Sequence, residues 1–127
     1  MKLLLDSHVL LWLGVDDPVL ARDARAAILD ERNDAIVSVA SVWELEIKRA
    51  KGLLQIPPDA GTRLNPAGFD VLDVKVDHVV RAAELPPLHR DPFDRLLVAQ
   101  AQATGATLVT ADAAITAYDV PVMPARA

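Results

Sequence analysis

The stretch His89-Arg90-Asp91-Pro92-Phe93-Asp94-Arg95-Leu96-Leu97-Val98-Ala99-Gln100-Ala101 reads as the start of a buried helix, and the rest of the chain can be placed around it. Asp91 followed by Pro92 has the form of an N-cap and a first helical position, where proline's fixed φ fits and its missing N–H is not needed. Leu97, Ala101 and Thr104 recur at helical spacing, and Gly105 stands where helices commonly end in the left-handed conformation. The pattern predicts a helix of about twelve residues. Its first turn carries two carboxylates, Asp91 and Asp94, at i and i+3 and therefore on one face. Capping alone accounts for such a pair, since both positions meet the positive end of the helix dipole. The pair gains interest because three more acids occupy comparable places elsewhere in the chain.

Outward from this helix, Lys2–Leu5 is a short apolar run ending at Asp6-Ser7, a buried strand that leads into a helix through Val9, Leu10, Trp12 and Leu13. Asp17-Pro18 opens a second helix with Leu20, Ala24 and Ile28 as its stripe, and Asn33-Asp34 turns the chain into a strand over Ala35–Ser38. Ser41-Val42-Trp43-Glu44 has the form of a capping box, predicting a helix to about Lys51 with Trp43, Ile47 and Ala50 inward. Pro57-Pro58 interrupts, with a poorly defined helical piece from Pro58 to Asn65, a strand over Phe69–Val74 and a short helix over Asp77–Ala83. Past the central helix come a strand over Ala106–Thr110, a helical turn at Asp112 and a proline-bounded edge strand over Val120–Met123. Strand and helix alternate. The expected class is α/β: a central parallel sheet of four to five short strands, helices on both faces, one domain over residues 1–127.

Composition narrows the chemistry. With no cysteine and three widely spaced histidines (His8, His78 and His89), there is neither a disulfide framework nor a thiolate or imidazole metal set. Any metal would be held by oxygen and be Mg²⁺ or Mn²⁺ in character. A net charge of −5 argues against general duplex binding, so a nucleic-acid site must be local and partly neutralised by a cation. The apolar N-terminus is broken by Asp6 too early for a signal peptide, and no window is long enough to span a membrane, which predicts a cytoplasmic protein.

Asp6 ends the first strand, Glu44 lies in the first turns of the helix after the second, Asp94 is in the central helix, and Asp112 follows a late strand. In a parallel sheet these positions converge on the crevice beyond the carboxyl ends of the strands. Each acid has a simpler reading: Asp6 and Asp112 as caps, and Glu44 as half of a capping box or a partner of Lys48. Together they repel one another and raise one another's pKa, a penalty that a divalent cation removes.

Four segments carry a family resemblance: Leu5–Trp12, Ser38–Lys48, His89–Ala101 and Leu108–Asp112. In this order they resemble the PIN-domain ribonucleases, and within them the VapC-like toxins of type II toxin–antitoxin pairs. The resemblance implies a PIN-like three-layer sandwich and a Mg²⁺-dependent endoribonuclease, Mn²⁺ being a possible substitute, that cleaves single-stranded or structured RNA. It places Asp6, Glu44, Asp94 and Asp112 in the acidic metal site. Asp6 and Asp94 would be direct ligands, and Glu44 and Asp112 would act through water or a second ion. Asp91 stays mainly a cap. Ser7, Ser38 and Thr110 are candidates to orient the carboxylates, and Lys48, Lys51, Arg90 and Arg95 to steer RNA, while His8 and His89 receive no role. The implied partners are RNA, a cognate antitoxin and a second copy of the chain. A mean hydropathy of +0.23 fits covered apolar surface, with the helices carrying Trp12, Leu20, Trp43 and Leu54 as candidate faces. Among rivals, a haloacid-dehalogenase-like phosphatase would need a second acid where His8 stands, and a receiver domain would need paired N-terminal acids. The alternative function is a non-catalytic PIN-like binding module whose acids are helix caps.

Overall fold

The structure, a computed structural model, describes residues 1–126. Strands β1 (Lys2–Leu5), β2 (Asp34–Ser38), β3 (Asp70–Leu72), β4 (Thr107–Thr110) and β5 (Val122–Pro124) form one sheet in the order β3-β2-β1-β4-β5. Every neighbouring pair is parallel, and Leu4 stands opposite both Ile36 and Leu108. Parallel neighbours need crossovers, which the helices supply. Helices α1 (Ser7–Gly14) and α2 (Arg22–Leu29) lead to β2, and α3 (Val39–Ala50) with a 3₁₀ turn at Ala60–Arg63 leads to β3. Helices α4 (Val76–Glu84) and α5 (Pro92–Thr104) lead to β4, and a second 3₁₀ turn at Ala113–Ala117 leads to β5.

Alternation along the strands divides the core between the two faces of the sheet. Leu3, Leu5, Ala35, Val37 and Val109 pack with Val9, Ala24 and Ile28 of α1 and α2. Leu4, Ile36 and Leu108 pack with Leu97, Val98 and Ala101 of α5, beside Ile115 and Tyr118. Leu3, Leu4 and Leu5 are all fully buried, which is why the first run is apolar throughout rather than alternating. A change such as Leu4→Ala in this position costs about 2–5 kcal/mol. The result is the expected three-layer α/β sandwich, with five strands.

Helix α5 follows its local signals. The Asp91 carboxylate accepts the Phe93 N–H at 2.9 Å, Pro92 opens the helix, and Gly105 ends it at φ +71°. Two other starts differ from the sequence reading. Helix α2 begins at Arg22 because Asp17-Pro18 forms a separate turn, in which the Asp17 carboxylate accepts the Val19 N–H. Helix α3 begins at Val39, capped by Ser38, the last residue of β2, so Ser41 lies inside the helix and caps nothing. Its buried residues are Ala40, Ser41 and Leu45, whereas Trp43 and Ala50 are exposed. The capping-box pattern set the helix phase several residues late.

Candidate metal centre

Strand β1 has β2 on one side and β4 on the other, so the chain order reverses between β1 and β4. Crevices form at such reversals, beyond the carboxyl ends of the strands. A cleft of about 320 Å³ opens here, walled by Asp6, Glu44, Asp94 and Asp112, with Asp91, Lys48 and Arg126 also on its lining. The four acids singled out in the sequence are thus brought together from β1, α3, α5 and the turn after β4.

Asp6 and Asp112 are each held by the element that delivers them and by a neighbour from elsewhere, and Glu44 and Asp94 are not. Asp6 is buried. Its Oδ1 caps α1 by accepting the His8 N–H at 3.2 Å, and its Oδ2 accepts the Thr110 hydroxyl at 2.7 Å. Thr110 Oγ1 in turn accepts the Asp112 N–H at 3.0 Å, tying the ends of β1 and β4 together. Glu44 makes neither of the bonds expected of it: Oε1 accepts the Ser7 hydroxyl at 2.5 Å, across 37 residues of sequence. Asp112 Oδ1 caps the second 3₁₀ turn through the Ala114 N–H at 2.9 Å, and its Oδ2 lies 2.8 Å from His89 Nε2. Asp94 does not complete the cap of α5; its Oδ2 lies 3.0 Å from the same imidazole nitrogen.

The acids differ in ionisation. Burial pushes Asp6 up, but hydrogen bonds from His8, Thr110 and the His8 amide outweigh it, leaving the carboxyl below its ordinary value. At Asp112 burial is likewise outweighed, by His89 and the Ala114 amide. Asp94 has no comparable donors. Burial, then the charges of Asp91 and Asp6, push it up to about 7. The expected mutual repulsion shows at Asp94, whereas hydrogen bonds outweigh burial at Asp6 and Asp112. The Asp6 carboxylate raises His8, and the Asp112 carboxylate raises His89. At His89 the Asp91 amide opposes that rise, because it donates to the nitrogen an imidazolium would need to protonate. An all-oxygen acid set, two members held ionised and a third short of positive charge, fits a hard divalent cation.

The smaller assignments divide. Ser7 and Thr110 do orient site carboxylates, while Ser38 caps α3. Lys48 lines the cleft, but Arg95 turns away and donates to the Ala82, Leu85 and Pro86 carbonyls at the end of α4. Two residues were missed. His89 binds Asp112 and lies against Asp94, and Arg126 stacks 5.6 Å over the Trp12 ring at the cleft wall. A histidine two residues before an aspartate cap carries no periodic signal, so only the fold reveals it.

The sequence profile of the PIN domain matches residues 3–121, so the chain belongs to the PIN-domain family. Its fold is similar to that of chains in three solved complexes. VapBC2 from Rickettsia felis bound to a DNA fragment from its promoter aligns with TM-score 0.75 and 16% identity, covering 98% of this chain and 99% of the other. VapBC-1 from nontypeable Haemophilus influenzae gives 0.67 and 19%, covering 98% of each chain. A toxin–antitoxin complex from Klebsiella pneumoniae gives 0.64 and 19%, covering 94% of each. A search of curated proteins by sequence gives no significant match.

Proposed function

We propose that this chain is a Mg²⁺- or Mn²⁺-dependent endoribonuclease acting on single-stranded or structured RNA, the toxin half of a type II toxin–antitoxin pair. The observation that carries the reading is the meeting of Asp6, Glu44, Asp94 and Asp112 in one cleft at the strand-order reversal. Asp6 and Asp94 would hold the cation, with Glu44 and Asp112 acting through water or a second ion. When bound, the cation would ease deprotonation of a water and offset charge on the phosphate under attack. The Ser7 and Thr110 hydroxyls fix Glu44 and Asp6, and Lys48 and Arg126 supply local positive charge for an RNA backbone in a chain of net charge −5. RNA cleavage by the purified chain should require Mg²⁺ or Mn²⁺ and fall at least ~100-fold in Asp6→Asn and Asp94→Asn. Full activity of Asp94→Asn at saturating metal would overturn the assignment.

The toxin reading also needs a partner surface. A second depression of about 310 Å³ lies between α1, α3 and the first 3₁₀ turn, with apolar walls that include Leu10, Leu11, Val42, Ile56 and Leu64. Helices α1 and α3 also carry His8, Trp12, Glu44 and Lys48 on the cleft side, so the groove adjoins the acids. An antitoxin segment with an apolar face fits this groove, and a second copy of the chain fits the exposed valines of α4. We place the protein in the cytoplasm, with its RNA, and read residues 1–127 as one PIN domain.

One observation favours the non-catalytic alternative: Asp6, Asp91 and Asp112 do cap helical segments. It leaves Glu44 and Asp94 unexplained, since neither caps anything.

A further inference from the structure

We propose that His89 is a positioning residue of the metal centre: its Nε2–H holds the Asp112 carboxylate in place beside Asp94, and the imidazole itself does not ligate the cation. The proposal rests on the cation-dependent reading above.

Proximity alone suggests the opposite. His89 Nε2 lies 3.0 Å from Asp94 Oδ2 and 2.8 Å from Asp112 Oδ2, and one atom from each residue gives a trio close enough to hold a metal. The far side of the ring decides. His89 Nδ1 accepts the backbone N–H of Asp91 at 3.1 Å. A nitrogen that accepts a hydrogen bond carries no proton, and a neutral imidazole has only one, so that proton sits on Nε2. A protonated Nε2 has no lone pair for a metal, but it has a hydrogen for the Asp112 carboxylate.

Ligation through Nε2 would move the proton to Nδ1 and set it against the Asp91 N–H. Neither group is free to turn aside. Asp91 is fixed as the cap of α5 by its own bond to the Phe93 N–H, with Pro92 following. The His89 backbone is pinned through its N–H to the Tyr118 hydroxyl at 2.9 Å, and the side chain is only 17% exposed. The ring is therefore a fixed donor between the first turn of α5 and the turn after β4. With Ala114 on Oδ1 and His89 on Oδ2, the Asp112 carboxylate has its plane set from both sides. Residues that orient metal ligands in this way typically contribute 10–100-fold to metal affinity.

Mn²⁺ binding, followed by electron paramagnetic resonance, tests this without any RNA. The wild-type complex should show no directly coordinated ¹⁴N in its spin-echo modulation. His89→Ala should bind Mn²⁺ about 10–100-fold more weakly. His89→Gln, whose amide N–H reaches the place of Nε2, should recover affinity to within a few-fold of wild type. Strong directly coordinated ¹⁴N modulation that persists in His8→Gln would make His89 a ligand and overturn the proposal, whether or not the His89 variants fold. Equal Mn²⁺ affinity in wild type and a folded His89→Ala would overturn the positioning role while leaving the cation site standing. Absence of Mn²⁺ binding by the wild type would remove the cation reading, and this proposal with it.

Discussion

Asp94 keeps its proton in the folded chain up to about pH 7, against an ordinary value of 3.8. Between those values the folded state binds more protons than the unfolded one, so this group makes stability fall as pH rises through the window. The slope approaches about 1.4 kcal/mol per pH unit. Asp6 and Asp112 are shifted downward and act oppositely, adding stability above their ordinary value that is lost only as the solution turns more acid. Asp94→Asn removes the first effect and leaves the others. In EDTA the variant should match the wild type near pH 4.5 and exceed it near pH 7.5 by roughly 1–3 kcal/mol, read from denaturant midpoints. A difference that does not widen with pH would contradict this origin for the Asp94 shift. Added Mg²⁺ should close or reverse this gap at neutral pH, because the wild type gains about 2.7 kcal/mol at a hundredfold excess over Kd and the variant much less.

At the scale of elements, α5 depends on one side-chain cap. Asp91→Ala should destabilise the chain by about 1 kcal/mol and Asp91→Asn by much less, because asparagine still accepts the Phe93 N–H. Thermal melts of the two variants measure the difference; equal losses would mean that the Asp91 charge matters more than the cap. Helix α5 was legible because cap, proline, spacing and closing glycine all lie within one stretch. Helix α3 was not, since Ser38 does two jobs, ending β2 and capping the helix, and the Ser41–Glu44 spacing imitates a capping box. What claims Glu44 is Ser7, and no local pattern contains that contact. The same division holds at the site. The four acids were legible because strand ends in a parallel sheet share one edge. The roles of His89 and Arg95 were not, because their partners are fixed by how α4, α5 and the turn after β4 pack.

For the whole molecule, the apolar faces expected from the sequence divide: α1 and α3, which carry Trp12 and Trp43, wall the second depression, whereas Leu20 lies before the start of α2. Leu20 is buried and Trp12 lines the cleft, so neither offers a free face, although Trp43 is 62% exposed with its ring edge-on to Phe93 at 5.4 Å. The clearest stripe is on α4, where Val76, Val79 and Val80 are 80%, 51% and 48% exposed at helical spacing. If a second copy covers it, Val79→Asp with Val80→Asp should lower the light-scattering mass from twice 13.7 kDa to once, with melting changed by no more than about 0.5 kcal/mol. A wild type that is monomeric at every concentration would rule out this role for α4. The position of β1 between β2 and β4 also governs how the protein is made. Leu5 pairs with Val109, so the innermost strand waits for about a hundred further residues before its second edge is covered. At about 5–20 residues per second, a ribosome takes on the order of 5–20 s to travel between the two. Until then Asp6 lacks Thr110, and Asp112 has not been translated. The cleft is completed only once β4 and the turn after it have been made, and a nascent chain stalled before β4 holds an acidic set with one wall missing.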